Sequence, residues 1–233
     1  MFVRWVAILL MLIINQSNAT DYGLVYGQNT RMIMPLDKDS IGISVGNYTQ
    51  KYYLLHSKVV ESDSERSISS NFIVTPEVTE ILPDTRQMLT IRRLSGVYPQ
   101  DRESLVYVVG RFIPNSTDTP IGGKVDLAVT FSLKMFLRPA SLCDGDVVEK
   151  SINKIDYKYE DGSLEITNLT PYHLTYFNLI IDGAKIDFSE DVSMLYPYKT
   201  HYLKMDNPPK VISWSLINDS GFETAQSSRN FTQ

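Results

Sequence analysis

The chain has 233 residues, and its 22 Lys and Arg against 27 Asp and Glu give a formal net charge of −5. This acidic balance argues against a nucleic-acid-binding protein, which normally presents a basic patch to phosphates. The 14 Tyr and 9 Phe, and the lack of any long segment rich in Ala, Glu, Lys and Leu, favour β structure.

The first 19 residues have the pattern of a secretory signal. A short basic start, Met1–Arg4, precedes an apolar run at Trp5–Ile14 and the small residues Ser17–Ala19. Ten apolar residues are too few for a membrane span, which takes about 20. We predict that residues 1–19 are a cleaved signal peptide and that the mature chain starts near Thr20; an uncleaved anchor helix is the alternative.

Short segments with alternating apolar and polar residues follow, and period-two alternation is typical of half-buried strands. Five precede Pro139 and four follow it: Ile41–Val45, Tyr52–Val60, Gln87–Arg92, Leu105–Val109, Val125–Leu133, Tyr157–Tyr159, Leu164–Ile166, Tyr176–Ile181 and Lys185–Phe188. Asp161-Gly162 lies between the first two of the last four segments, and Asp182-Gly183 lies between the other two. An Asp-Gly pair between two strands is a strong hairpin signal. The spacing predicts an all-β chain of two β-sandwiches, at 20–139 and 140–233.

The sequence contains no motif for catalysis or metal binding. Cys143 is the only cysteine, so no disulfide forms within the chain, and we expect a partly buried small residue there. His56, His173 and His201 are scattered without the spacing of metal ligands, and no nucleophile or phosphate-loop motif is present. We therefore predict no enzymatic activity, no cofactor, no metal and no small-molecule substrate.

Four motifs are similar, in order, to those of the PapD-like periplasmic pilus chaperones. They are Phe72-Ile-Val-Thr-Pro76, Tyr98-Pro-Gln-Asp-Arg-Glu-Ser-Leu105, Leu133-Lys-Met-Phe-Leu-Arg-Pro-Ala140 and Asn168-Leu-Thr-Pro-Tyr172. The resemblance implies two immunoglobulin-like sandwiches in a boomerang (L-shaped) arrangement, located in the periplasm. It also implies that the partners are pilus subunits lacking a last strand, which the chaperone completes by donor-strand complementation and delivers to an outer-membrane usher. Whether the client-free protein self-associates stays open.

The resemblance also implies roles for particular residues. Strand G, at 124–137, fills the client's groove with Val125, Leu127 and Val129, while Phe131 and Leu133 serve the protein's own core. The connection at Arg111–Gly123, about a dozen residues without cysteine, resembles the short F–G loop subfamily.

Two charged sets complete the implied site. Arg31 and Lys134 correspond to the family's anchor for the client's terminal carboxylate. Glu103, Arg138 and Asp219 correspond to an ion network between the domains that sets their angle.

The main alternative is a secreted immunoglobulin-like adhesion or receptor fragment. Asn47-Tyr-Thr49, Asn115-Ser-Thr117 and Asn168-Leu-Thr170 have the glycan-acceptor pattern. True immunoglobulin domains are usually marked by a Cys…Trp…Cys set, which one cysteine excludes. A secreted hydrolase on a β-sandwich is a third class, and no nucleophile–base pair supports it.

Overall fold

The computed structural model describes residues 23–62, 67–115, 127–188 and 193–231. The predicted signal peptide at 1–19, Val125 and most of the F–G connection therefore lie outside the described residues. The one α-helix within these ranges, α1 (Val147–Ser151), has five residues, and no described helix is long and apolar enough to cross a membrane.

In the first sandwich the described residues form nine strands. They are β1 (Leu24–Tyr26), β2 (Arg31–Pro35), β3 (Ser40–Asn47), β4 (Tyr53–Val60), β5 (Phe72–Thr75), β6 (Val78–Ile81), β7 (Thr85–Arg93), β8 (Ser104–Pro114) and β9 (Val129–Arg138). One sheet has the order β1-β3-β7-β5, and the other has the order β2-β9-β8-β4-β6. Apolar side chains from both sheets form one core, in which Leu55, Leu89 and Met135 are fully buried.

In the second sandwich the part of the chain that the structure describes forms eight strands. They are β10 (Ile155–Glu160), β11 (Ser163–Asn168), β12 (Leu174–Ile181), β13 (Ala184–Lys185), β14 (Met194–Leu195), β15 (Thr200–Lys204), β16 (Val211–Leu216) and β17 (Ser227–Asn230). One sheet has the order β10-β11-β15; the other has the order β13-β12-β16-β17, with β14 also on β12. A separate core lies between them, and the rings of Tyr157 and Trp214 meet there with centroids 4.7 Å apart. The prediction of an all-β chain of two sandwiches is confirmed.

Both predicted Asp-Gly hairpins are present. Asp161 and Gly162 join β10 to β11 with φ of 50° and 75°, and Asp182 and Gly183 join β12 to β13 with 49° and 85°. Positive φ at two successive residues gives the twist that a two-residue hairpin needs, and Asp and Gly tolerate it.

Three sequence expectations need correction. The strand predicted at Lys185–Phe188 is wrong beyond its first residue, because β13 ends at Lys185. The Ile186 N–H still donates to the Leu179 carbonyl at 2.9 Å. Strand β9 starts at Val129, where its ladder with β8 ends at the pair Phe112–Val129, so Leu127 and Ala128 are not part of the strand as predicted, and residues 124–126 lie outside the described residues. Cys143 is exposed, because it lies in the turn that follows β9 and not in either core.

Candidate functional site

Strand β9 has one edge that is only half covered. On one side it pairs with β8 over Val129–Leu137. On the other, β2 runs parallel to it and pairs only with Lys134–Arg138. Among the described residues no strand pairs with that side of Val129–Leu133, which we call the open edge. An open edge presents backbone groups that can pair with an added strand.

The apolar face of β9 runs out of the core along the open edge. Met135 and Leu137 are fully buried, and Leu133 is 9% exposed. Phe131 packs at the margin of the core, with its ring 5.7 Å from that of Phe112. Phe131 and Leu133 thus belong to the protein's own core, as predicted.

Beyond Phe131 the same face carries the predicted groove-filling residues. Val129 is 39% exposed and Leu127 is 74% exposed. Both therefore have apolar area left for a partner, and Leu127 lies two residues before Val129, the first paired residue of β9. Val125 continues the alternation outside the described residues.

Arg31 and Lys134 lie side by side where the open edge ends. They are opposite each other in the parallel register of β2 and β9. Arg31 is 5% exposed, its Nη1 donates to the Ile217 carbonyl at 2.9 Å, and its guanidinium lies 5.5 Å from the Phe136 ring centroid. The Arg31 Nε is buried and has no hydrogen-bond partner among the described residues. A buried donor without a partner costs about 1–3 kcal/mol, so an acceptor bound at this nitrogen would be stabilising.

Burial also acts on the charge of Arg31. Desolvation lowers the pKa of the guanidinium, while the negative charges of Asp219 and Glu103 act in the opposite direction. Binding a carboxylate would favour the charged form further.

The three residues of the predicted ion network are in contact. Arg138, the last residue of β9, donates from Nε to Glu103 Oε1 at 2.7 Å. Its Nη1 and Nη2 donate to the two carboxylate oxygens of Asp219 at 2.6 and 2.9 Å. Burial lowers the pKa of Arg138, but the hydrogen bonds and charges of Asp219 and Glu103 outweigh burial, so the pKa is raised. The network joins the first sandwich to the loop after β16 in the second.

Two further residues, His173 and Tyr172, contact this network, and neither was assigned to it from the sequence. The His173 backbone N–H donates to Glu103 Oε2 at 2.7 Å, and its ring Nδ1 is 3.3 Å from the same oxygen. The Arg138 guanidinium lies 5.3 Å from the centroid of the Tyr172 ring. The available signal was the motif at 168–172, because Tyr172 is its last residue and His173 follows it directly. From the sequence, His173 was considered only as a metal ligand and was rejected for its spacing.

Two of the three glycan-acceptor patterns are buried turns. Asn47 is 0% exposed and its Nδ2 donates to the Lys51 carbonyl at 2.6 Å. Asn168 is likewise 0% exposed, and its Nδ2 donates to the Tyr172 carbonyl at 2.7 Å. Because a glycan must be attached to that nitrogen, neither site is an acceptor in the folded protein. This removes most of the support for the adhesion-fragment alternative.

Comparisons with known proteins agree with this geometry. Over 91% of the chain it is 27% identical to chaperone protein caf1M of Yersinia pestis, of which 87% is covered. Over 79% of the chain it is 29% identical to the probable fimbrial chaperone LpfB of Escherichia coli O157:H7, of which 78% is covered. A chain from the Salmonella enterica SafA pilin–SafB chaperone structure has the same fold, with a TM-score of 0.79, 23% identity and coverage of 91% and 99%.

Two family models match successive parts of the chain. Residues 25–143 match the N-terminal domain of PapD, described as a pili and flagellar-assembly chaperone. Residues 150–228 match the C-terminal domain of the pili assembly chaperone PapD. The predicted boundary at 139–140 lies within the first match and stays a prediction. The chain belongs to the PapD family of pili assembly chaperones.

Proposed function

We propose that this chain acts in the periplasm, behind a cleaved signal peptide at 1–19, and has no enzymatic activity. It captures pilus subunits by donor-strand complementation and passes them to an outer-membrane usher. The single observation that carries the capture mechanism is the apolar face of β9, which leaves the core beside the open edge. The SafA–SafB structure, named for a pilin in complex with its chaperone, supports the choice of partner.

Strand addition at the open edge accounts for both features of β9. The backbone of Val129–Leu133 hydrogen-bonds to the last strand of the subunit, and Leu127 and Val129, with Val125, fill its groove. Burying a Val or Leu side chain contributes about 1.5–3 kcal/mol. Association itself costs about 4–15 kcal/mol. These side chains therefore need backbone pairing and an anchor to hold the subunit.

The anchor in this proposal is the pair Arg31 and Lys134. A terminal carboxylate between them accepts charge-assisted hydrogen bonds from both cations, including the buried Arg31 Nε that has no partner within the described residues. Strand β9 runs from the open edge towards Lys134. A subunit strand whose carboxylate ends at this pair therefore runs parallel to β9, which fixes its register.

The network of Glu103, Arg138 and Asp219 holds the second sandwich against this anchor. Arg31 contributes to the same contact, because its Nη1 binds the carbonyl of Ile217, two residues before Asp219. We propose that these contacts set the angle between the domains.

Co-expression with a cognate subunit tests the proposal. Arg31→Ala and Lys134→Ala should each lose the co-purified subunit while the chaperone stays folded, since truncating one side of a buried charge contact costs about 2–5 kcal/mol. Arg92→Ala is the matched control, because Arg92 is an exposed base on the other sheet of the first sandwich. Retention of subunit at wild-type yield by both anchor variants would contradict the anchor.

A further inference from the structure

The turn at 217–223 in the second sandwich is held rigidly by its own hydrogen bonds. Asn218 Oδ1 accepts the Ser220 and Phe222 N–H groups at 3.1 and 2.9 Å. The Asn218 N–H donates to the Phe222 carbonyl at 2.8 Å. A bridge between Ile217 and Glu223 closes the turn. The backbone of Phe222 is thus fixed on both sides.

The same turn lies directly against the first sandwich beside the proposed anchor. The Ile217 carbonyl accepts Arg31 Nη1 at 2.9 Å, and Asp219 binds Arg138. Gly221 approaches Thr30 so closely that a Cβ added at Gly221 would lie 2.7 Å from Thr30 Oγ1. Thr30 immediately precedes Arg31, the first residue of β2. The turn therefore borders the point where the open edge ends.

Phe222 is exposed in spite of this rigid setting. Its side chain is 71% exposed, whereas its neighbours Asp219 and Gly221 are occupied by contacts with the first sandwich. A large aromatic side chain presented on a fixed backbone loses little conformational entropy when a partner covers it. Such residues are typical contact points in interfaces.

We propose that Phe222 packs against the side chain of the last residue of the bound subunit and favours an apolar residue there. This inference rests on the proposed function, because it takes the terminal carboxylate to be held by Arg31 and Lys134. Because the turn contacts both Arg31 and Thr30, a carboxylate held at Arg31 brings the last side chain of the subunit within reach of residues 217–223. An acidic last residue would instead meet the carboxylate of Asp219, which is 31% exposed. Phe222 then acts as a specificity residue, distinct from the anchor that binds every carboxyl terminus.

Peptides that differ only at the C-terminal residue test the contact with Phe222. We suggest a peptide of alternating Val and Thr that ends in Leu with a free carboxyl group, the same peptide ending in Gly, and an amidated form of the Leu peptide. Affinity is measured for the wild-type protein, Phe222→Ala and the control Tyr202→Ala. Tyr202 is 65% exposed on β15, in the other sheet of the second sandwich.

Phe222→Ala should bind the Leu-ending peptide about three- to tenfold more weakly than the wild type, the range expected for one aromatic contact. It should bind the Gly-ending peptide as tightly as the wild type does, because glycine has no side chain for Phe222 to contact. Changing Phe222 and the last residue of the peptide separately and together therefore measures the contact between these two side chains. Tyr202→Ala should bind both as the wild type does.

The two proposals fail differently. If the wild type prefers free carboxyl groups over the amide but Phe222→Ala binds the Leu-ending peptide unchanged, the role of Phe222 is wrong and the anchor stands. If the wild type does not distinguish the free acid from the amide, the anchor is wrong and the inference about Phe222 falls with it.

Discussion

Removing the Arg138 side chain should destabilise the protein more than any exposed charge does. Arg138 is 4% exposed and binds two carboxylates, Glu103 and Asp219. In Arg138→Ala the Glu103 side chain, 1% exposed, stays buried without its cationic partner. Asp219, at 31%, can still be hydrated. The loss of stability in Arg138→Ala therefore comes mainly from the buried charge of Glu103.

The contacts that remain set the magnitude. Breaking a buried ion pair by removing one partner costs about 3–5 kcal/mol. Glu103 Oε2 keeps the His173 N–H at 2.7 Å, so we expect the lower end, about 3 kcal/mol. In a chain of this size, 1 kcal/mol shifts the melting temperature by about 2–4 °C, which predicts a decrease of about 6–12 °C.

Thermal unfolding with a matched control tests this value. Arg229 Nη1 is 2.6 Å from Asp156, the same distance as between Arg138 and Asp219, but the two side chains are 46% and 52% exposed. An exposed pair contributes about 0–1 kcal/mol, so Arg229→Ala should lower the melting temperature by less than about 4 °C. Equal melting temperatures for the two variants would refute the reasoning.

A second pair of variants, Arg138→Met with and without Glu103→Gln, tests whether the unpaired charge of Glu103 causes the loss of stability. Glu103→Gln in an Arg138→Met background removes the carboxylate but keeps an oxygen for the His173 N–H. The double variant should therefore unfold at a higher temperature than Arg138→Met alone. If it unfolds at the same or a lower temperature, the uncompensated charge of Glu103 is not the cause of the loss.

Two further predictions concern the first sandwich. Leu127→Asp should abolish subunit capture in a pull-down and leave the melting temperature within about 2 °C of wild type, because Leu127 is 74% exposed; an unfolded variant would mean that Leu127 is core. Burial raises the pKa of Tyr26 to about 12, so the folded state holds the phenol proton more tightly than the unfolded chain, whose tyrosines titrate near 10. This shift contributes about 3 kcal/mol to the stability of the folded state; the contribution is complete below pH 10 and is lost as the pH rises towards 12. In urea unfolding, Tyr26→Phe should lose less stability between pH 9 and 11.5 than wild type or Tyr202→Phe, and equal losses would contradict this assignment.

The predictable parts of the fold were those with local signals. Tyr53–Val60 alternates buried and exposed residues along one strand, and Asp161-Gly162 and Asp182-Gly183 adopt positive φ, so pattern and turn chemistry identified these elements. Strand β2 was missed. Its five residues, Arg-Met-Ile-Met-Pro, do not alternate, and a parallel partner more than 90 positions away in the chain leaves no local trace.

The candidate site shows the same limit. The alternation of β9 predicted its apolar face, but only the assembled sheet shows where that face leaves the core, between Phe131 and Val129. His173 has no distinctive sequence context beyond the motif before it, and its contact with Glu103 spans 70 positions. The resemblance supplied Arg31 and Lys134 as a pair, and their roles stay predictions.

Arg31 belongs both to the proposed anchor and to the contact between the two domains. Arg31 uses Nη1 for the second sandwich, at Ile217, while its Nε has no partner among the described residues. On the proposed function, a subunit carboxylate bound at Nε orders the same guanidinium that supports the domain contact. Burial that lowers the pKa of Arg31 is then opposed by three carboxylates: Glu103, Asp219 and the client's own. Because coupling between two contacts is reciprocal, a chaperone with fixed domains binds the carboxylate more tightly, and a bound carboxylate holds the domains more firmly.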